Sequence, residues 1–193
     1  MTFNRSLKKA KHQLRLDLKY KLSEMTHDER TISNSIINKK LLSEVKKCTS
    51  ILCFYPLPSE PNIKPSIEYW LENNFEVSLP RLHNGKIQCY KINHLADNQF
   101  IKSDIGVLEP NPNICEMVSE EAISNILIPG LGFSDKGQRI GRGGGIYDKF
   151  LSKCSPGKFL IGVCFNVQLV DEIPMQVDVV EGTGVDDLND VIR

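Results

Sequence analysis

The chain has 193 residues, 24 Lys and Arg against 24 Asp and Glu, and 40% hydrophobic residues. That length suits one domain, on a prior of about 100–200 residues each, whose core needs no disulfide or metal staple. Zero net charge argues against a uniform nucleic-acid-binding surface, and no apolar run approaches the ~18 residues of a membrane span.

Leu7, Leu14, Leu18, Leu22 and Met25 keep helical spacing, which predicts an amphipathic helix from about Asn4 to Met25. Thr26-His27-Asp28-Glu29 is a capping-box sequence that opens a second helix running to about Lys46, with Ile32, Ile36, Ile37 and Leu41 as its expected apolar stripe. Thr49 to Tyr55 reads as a short buried strand. Pro61 to Asn74 reads as a helix carrying Ile63, Ile67 and Leu71 on one face, with Pro65 near its start where a missing N–H is tolerated. Two strands, Glu76 to Leu79 and Lys86 to Ile92, flank the turn signal Asn84-Gly85. Glu120 to Ser124 ends a short helix, and Asn125 to Ile128 enters the sheet as a strand. Asp148 to Lys153 continues a helix, Phe159 to Phe165 is a second core strand, and Val167 to Glu172 a short helix. Alternating helices and short apolar strands predict a mainly parallel sheet covered on both faces. No repeat or linker divides the chain, so residues 1–193 are expected to form one domain with the N-terminal helical pair packed on it.

The six cysteines contain no C-x-x-C pair, and several sit in apolar runs such as Ile51-Leu52-Cys53-Phe54, as small core hydrophobes of a reducing compartment do. The first residues lack the apolar segment of a signal peptide, so a cytoplasmic location is expected. His12, His27, His83 and His94 are scattered and suggest neither a triad nor a zinc site.

The most informative stretch runs from Arg139 to Asp148. Arg139-Ile140-Gly141-Arg142-Gly143-Gly144-Gly145 places four glycines and two arginines in seven residues, directly before Ile146-Tyr147-Asp148. Glycines let backbone N–H groups approach a ligand closely, and such amides beside a helix start cradle phosphate. The two arginines add planar charge that forks onto phosphate oxygens. Asp148 is a hard oxygen ligand of the kind Mg²⁺ takes. The spacing matches neither a Walker A loop nor a dinucleotide fingerprint. A flexible or RNA-contacting segment is the plainer alternative, but the position between two core strands argues for an ordered phosphate cradle.

Three weaker features accompany it. Lys11 and Arg15 share a helix face, as an anion site or as a solvated basic face. Tyr55 and Glu60 follow a core strand, where open α/β sheets bind ligands, although Glu60 also suits a helix start. Asp178 either joins Asp148 around a metal or is one charge of an acidic tail.

Read together, Lys11-x-x-Leu14-Arg15, Tyr55 with Glu60, Pro129-Gly130-Leu131-Gly132-Phe133 and Gly137-x-Arg139-Ile140-Gly141-Arg142-Gly143-x-Gly145-x-Tyr147-Asp148 resemble the 5-formyltetrahydrofolate cyclo-ligase family, also called 5,10-methenyltetrahydrofolate synthetases. The match spans residues 11 to about 180. The resemblance implies a three-layer Rossmann-like α/β fold related to sugar-phosphate isomerases and CoA transferases. It implies an enzyme that closes 5-formyltetrahydrofolate to 5,10-methenyltetrahydrofolate at the cost of ATP, with Mg²⁺, releasing ADP and phosphate. It puts ATP on Lys11, His12, Gln13, Leu14 and Arg15 and on the loop Arg139, Ile140, Gly141, Arg142, Gly143, Gly144, Gly145, Ile146 and Tyr147. Folate falls on Tyr55, Glu60 and Arg142 to Ile146, and metal on Asp148 and Asp178. Arg139, Arg142 and Lys11 would carry catalytic charge. Gly144 stands where relatives can have Lys. The expected partners are small molecules, with no nucleic acid or membrane, and the expected state is a monomer.

Two rival classes remain at this stage. A sugar-phosphate isomerase or CoA transferase on the same architecture would need a dedicated catalytic carboxylate, for which Glu60 is the candidate. A nucleic-acid-binding module would use the basic first helix with Arg142-Gly143-Gly144-Gly145 and show steep salt dependence.

Overall fold

The computed structural model describes residues 2–45, 50–103, 106–175 and 188–193. Its helices are α1 (Thr2–Glu24), α2 (His27–Glu44), α3 (Lys64–Glu72) and α4 (Ile146–Leu151). The central sheet starts from β1 (Ser50–Leu52), which pairs in parallel with β2 (Glu76–His83) on one side and β7 (Asn125–Pro129) on the other. Beyond β7 lie β10 (Phe159–Val163) and then β11 (Asp190–Ile192), both parallel. On the opposite side β3 (Lys86–Lys91) and β6 (Met117–Val118) are antiparallel. The order is β11-β10-β7-β1-β2-β3-β6. Two small hairpins stand outside it: β4 (Phe100–Lys102) with β5 (Leu108–Pro110), and β8 (Gly132–Phe133) with β9 (Arg139–Ile140).

Strand alternation divides the core into two layers. Ile51, Leu127, Ile161 and Val163 face the side that holds Leu18 and Leu22 of α1, Ile37 and Leu41 of α2, and Ile67 and Trp70 of α3. Leu52, Ile126 and Ile128 face the other side, against Phe150 and Leu151 of α4. The result is the expected three-layer, mainly parallel α/β fold with a helical pair packed on it. Both faces of β1 are dry, since Ile51 and Leu52 are wholly buried.

Local chemistry explains most of the elements. The Thr26 hydroxyl accepts from the Glu29 N–H at 3.2 Å, and Glu29 Oε2 accepts from the Thr26 N–H at 2.8 Å, so the predicted capping box is formed. Between β2 and β3, Asn84 (φ 49°) and Gly85 (φ 71°) take the paired left-handed angles of a type I′ hairpin turn.

Several expectations are corrected. In α2, Ile32 and Ile36 are 62% and 47% exposed, so only Ile37 and Leu41 of the expected stripe are buried. The inward face is partly polar instead. Asn38 Nδ2 donates to the carbonyls of Asn34 (2.7 Å) and Asn62 (2.8 Å), and its Oδ1 accepts from the Ser66 N–H (3.0 Å). These bonds join α2 to α3, and a hydrophobic pattern cannot register them. The first strand is shorter than expected, and Thr49 lies outside the described residues. A 3-10 turn at Asn166–Gln168 replaces the helix expected over Val167 to Glu172, and another at Glu120–Ala122 the one before β7. The hairpins β4–β5 and β8–β9 and the strands β6 and β11 carry too few residues to show a period. No described helix is long and apolar enough to cross a membrane.

Candidate active site

The β8–β9 hairpin carries the glycine-rich loop back to the end of the sheet. Leu131 N–H donates to the Ile140 carbonyl at 2.8 Å, closing the hairpin base. A Cβ on Gly132 would lie 2.5 Å from Leu18 Cδ1, so this glycine lets α1 come down onto the hairpin. That close approach brings Arg15 to the loop, where its Nε–H donates to the Gly141 carbonyl at 2.9 Å.

After β9 the chain turns through Gly143 (φ 111°) and Gly145 (φ 63°), angles that a side chain would strain, and enters α4. Among the described residues, the amides of residues 141–148 donate to no backbone or side-chain acceptor. Such a run of unpaired N–H groups is a concavity for an anion.

One loop arginine is committed and the other bridges. The Arg139 side chain is only 8% exposed; it donates to the Pro129 carbonyl (3.2 Å), pairs with Asp148 Oδ1, and lies 5.8 Å from the Tyr147 ring centre. Arg142 is 44% exposed and reaches across to Ser59 Oγ (2.8 Å) and Glu60 Oε1 (3.1 Å). Glu60 itself is buried, and its Oε2 accepts from the Leu57 N–H at 3.0 Å. The loop and the segment after β1 are thereby pinned to each other across the site.

Between them lies a cavity of about 230 Å³. Tyr55, Glu60, Arg139, Arg142, Gly141 and the stretch from Gly144 to Asp148 contribute to its wall. The opposite wall was not anticipated: Pro80, Leu82 and Ile87 come from the β2–β3 hairpin, and Val107, Leu108 and Glu109 from β5 and its approach. Beyond Ser78, β2 has outrun β1, so one edge is open. Glu109 Oε1 accepts there from the Leu82 N–H (3.3 Å), while its Oε2 pairs with Arg81 at 3.5 Å. Pro80, two residues earlier on the same edge, has no N–H to leave unpaired. Nothing in the local pattern of residues 107–109 marks them as a wall. Only the fold of β4–β5 over the hairpin does so.

Tyr55 packs against Phe100 with ring centres 5.1 Å apart, and Lys64 Nζ lies 4.4 Å from its ring centre. Burial, then the nearby Glu60 carboxylate, pushes the Tyr147 phenol well above its ordinary value, so it stays protonated near neutrality. Burial also raises the thiols of Cys53 and Cys89, the latter to about 12, which leaves no ready thiolate in this region.

The first helix divides its expected site residues. Arg15 touches the loop, and Lys11, one turn earlier, is half-buried and forms no ion pair among the described residues. Leu14 packs into the core. His12 and Gln13 are exposed, and Gln13 Nε2 donates to Asp17 at 2.9 Å. Ile140 is buried in the core rather than open to the cavity. Asp178 lies outside the described residues.

A model of the 5-formyltetrahydrofolate cyclo-ligase family matches residues 7–181. The chain belongs to this family. It is 26% identical to the 5-formyltetrahydrofolate cyclo-ligase of Haemophilus influenzae, over 77% of this chain and 79% of that one. It is 26% identical to the mouse 5-formyltetrahydrofolate cyclo-ligase, over 86% and 87%. The fold matches the solved structure of Aquifex aeolicus 5,10-methenyltetrahydrofolate synthetase with a TM-score of 0.75 at 24% identity, covering 88% of this chain and 85% of that one. Membership makes the protein an enzyme of the cyclo-ligase class.

Proposed function

We propose that the protein closes 5-formyltetrahydrofolate to 5,10-methenyltetrahydrofolate, with ATP consumed to ADP and phosphate, in the cavity between the glycine loop and Glu60. The single observation that carries this reading is the stretch of unpaired amides at residues 141–148, which shares a cavity wall with Arg142 and buried Glu60 and is met from α1 by Arg15 at the Gly141 carbonyl. An anion-holding loop beside a buried carboxylate suits a phosphoryl donor placed against a polar heterocycle.

The chemistry needs positioning more than covalent help. A formamide carbonyl is a weak electrophile because its nitrogen donates into it. Attack of the formyl oxygen on the γ-phosphorus releases ADP and converts that oxygen into a phosphate leaving group. The folate's secondary amine then attacks the same carbon and loses its proton, and departure of phosphate with the C–O electron pair leaves the methenyl bridge. Arg142, Arg15 and the loop amides hold the charge that shifts among the phosphate oxygens. Lys11 sits one turn from Arg15 to meet the outer part of the nucleotide. Glu60 accepts from the pterin's amino and amide edge, with Tyr55 as a flat wall. Protonated Tyr147 offers a donor beneath the loop.

Mg²⁺ fits the residues present. It usually takes one or two carboxylates together with substrate phosphates and water. Asp148 is 60% exposed and spends Oδ1 on Arg139, which leaves Oδ2 open beside the loop. Among the described residues no group of three or more His, Cys, Asp and Glu is placed to hold a metal ion. When bound, the ion supplies charge to the transferring phosphate. Arg139 thus serves by holding Asp148 and the loop in place.

The rival isomerase or transferase reading needs a free carboxylate, yet Glu60 is held by Arg142 and Leu57 and Glu109 by Arg81 and Leu82. A nucleic-acid module is disfavoured by zero net charge. We place the enzyme in the cytoplasm as a monomer acting on small molecules, without a nucleic-acid or membrane partner. The deciding assay mixes the protein with 5-formyltetrahydrofolate and Mg²⁺ and follows the near-ultraviolet absorbance of the methenyl product. Product should form only when ATP is present; equal rates without ATP, or none with it, would overturn the reading.

A further inference from the structure

The ladder between β1 and β2 stops before β2 does. Cys53 N–H donates to the Ser78 carbonyl at 2.9 Å, and the chain then leaves the sheet towards Tyr55. On its other side β2 is held by β3, with the Ile92 N–H on the Val77 carbonyl. Alternation therefore turns the backbone groups of Ser78, Pro80 and Leu82 to the edge that β1 has left. Pro80 brings no N–H to that edge. Leu82 does, and a buried donor needs a partner. The Glu109 carboxylate supplies it, its Oε1 accepting from the Leu82 N–H at 3.3 Å. One side chain stands in for the absent strand.

Glu109 is buried, and among the described residues its charge is met by one guanidinium. Arg81 Nη1 lies 3.5 Å from Oε2 and donates to the Pro110 carbonyl at 3.3 Å. Arg81 and Glu109 thereby clamp β5 to β2. The clamp reaches both parts of the apolar wall. Val107 and Leu108 directly precede Glu109 on the cavity lining, and Pro110 pairs in register with Phe100, whose ring packs on Tyr55. The root of the β4–β5 hairpin is tied separately, by the Asn111 N–H on the Gln99 carbonyl and the Asn93 N–H on Gln99 Oε1, both at 2.9 Å. Loss of the clamp therefore loosens the wall without undoing the hairpin.

We infer that Glu109 is a positioning residue for the folate head. Clamped by Arg81 to the open edge of β2, it sets how closely Val107, Leu108 and Tyr55 meet a flat heterocycle in the cavity, without itself touching substrate. The inference rests on that cavity being the site of the folate head. It separates the two buried carboxylates of the cavity by role. Glu60 faces the polar edge of the substrate, whereas Glu109 is engaged by the protein's own backbone and shapes the apolar wall. Its effect belongs to folate affinity rather than nucleotide affinity, because the glycine loop lies on the opposite wall.

The test measures Kd for 5-formyltetrahydrofolate by calorimetry, and KM for folate and for ATP with Mg²⁺, on wild type, Glu109→Ala, Glu109→Gln and Arg81→Met. Glu109→Ala should raise Kd and KM for folate about tenfold, the scale of a buried N–H left unpaired, with KM for ATP changing by about twofold at most. Glu109→Gln keeps an acceptor for Leu82 and loses the charge facing Arg81, so its shift should be smaller. Arg81→Met should move the same constant. The Arg81→Met/Glu109→Gln double variant should fall short of the product of the two single effects, because both break one clamp. Should Glu109→Ala fail to fold, Glu109→Gln and Arg81→Met carry the test with smaller shifts. A lower melting temperature with unchanged folate affinity would overturn the inference, since Glu109 would then serve stability alone. Equal rises in KM for folate and ATP would overturn it too. So would a kcat loss of about a hundredfold at unchanged folate affinity, which would make Glu109 a catalytic carboxylate. Wild type that neither binds nor turns over 5-formyltetrahydrofolate would instead defeat the cyclo-ligase reading.

Discussion

Arg142 and Glu60 are the pair on which the site turns, and they differ in how far the chain revealed them. The glycines around Arg142 announce an unusual backbone, so the loop was legible from residue type alone. Glu60 was only one of two readings until the fold set it 3.1 Å from Arg142. Arg142→Ala should lower kcat/KM by about 10²–10³-fold, the loss typical of one preorganised charge-stabilising donor. The variant also leaves the buried Glu60 carboxylate without its guanidinium, so the melting temperature should fall by a few degrees while activity per folded molecule falls far more. A large drop in melting temperature with activity per folded molecule preserved would make the loop arginine structural. Glu60→Gln keeps an acceptor for the Leu57 amide but removes the charge facing Arg142. Steady-state kinetics should show KM for folate rising about tenfold or more, with a smaller change in KM for ATP. The reverse pattern would place Glu60 with the nucleotide.

At the scale of elements, the capping box and the Asn84-Gly85 turn were readable because each is a local bargain between a side chain, or a missing one, and its own backbone. The buried face of α2 was not readable in the same way. Asn34 and Asn38 stand where an apolar stripe would put Ile32 and Ile36, because their amides satisfy α3 and the segment before it. Asn38→Ala should therefore cost about 1–3 kcal/mol, the penalty for stranding the Ser66 and Asn62 backbone groups. Chemical denaturation measures it, and a cost near zero would show the seam to be incidental. The contact of α1 with the β8–β9 hairpin joins packing to function. Gly132→Ala puts a Cβ 2.5 Å from the tip of the Leu18 side chain in a packed core, at about 1–3 kcal/mol, and the prediction is that α1 gives way and carries Arg15 off Gly141. KM for ATP should rise together with the loss of stability. A variant that lost stability with an unaltered KM for ATP would uncouple α1 from the nucleotide.

For the whole molecule, the order of elements predicted a parallel sheet with helices on both faces, and that is the architecture. The cavity's second wall was beyond local reading, because it exists only once β5 folds across the β2–β3 hairpin far from the loop in sequence. Burial also gives the whole molecule a pH signature. The thiols of Cys53, Cys89 and Cys164 and the Tyr147 phenol are all raised in the folded state, so the unfolded chain loses these protons first as pH rises. The stabilisation they lend is complete below the ordinary thiol value of 9.0 and declines above it. Calorimetry should find the melting temperature falling from about pH 9 upward, and a constant value to pH 11 would contradict the buried thiols. The central claim is that the arginine-and-glycine loop holds the ATP phosphates against the folate formyl oxygen. Its most direct test is a crystal structure with a non-hydrolysable ATP analogue, Mg²⁺ and 5-formyltetrahydrofolate. The account predicts phosphate density on the amides of residues 141–147, with the pterin beside Glu60; nucleotide bound elsewhere, with that loop bare, would contradict it.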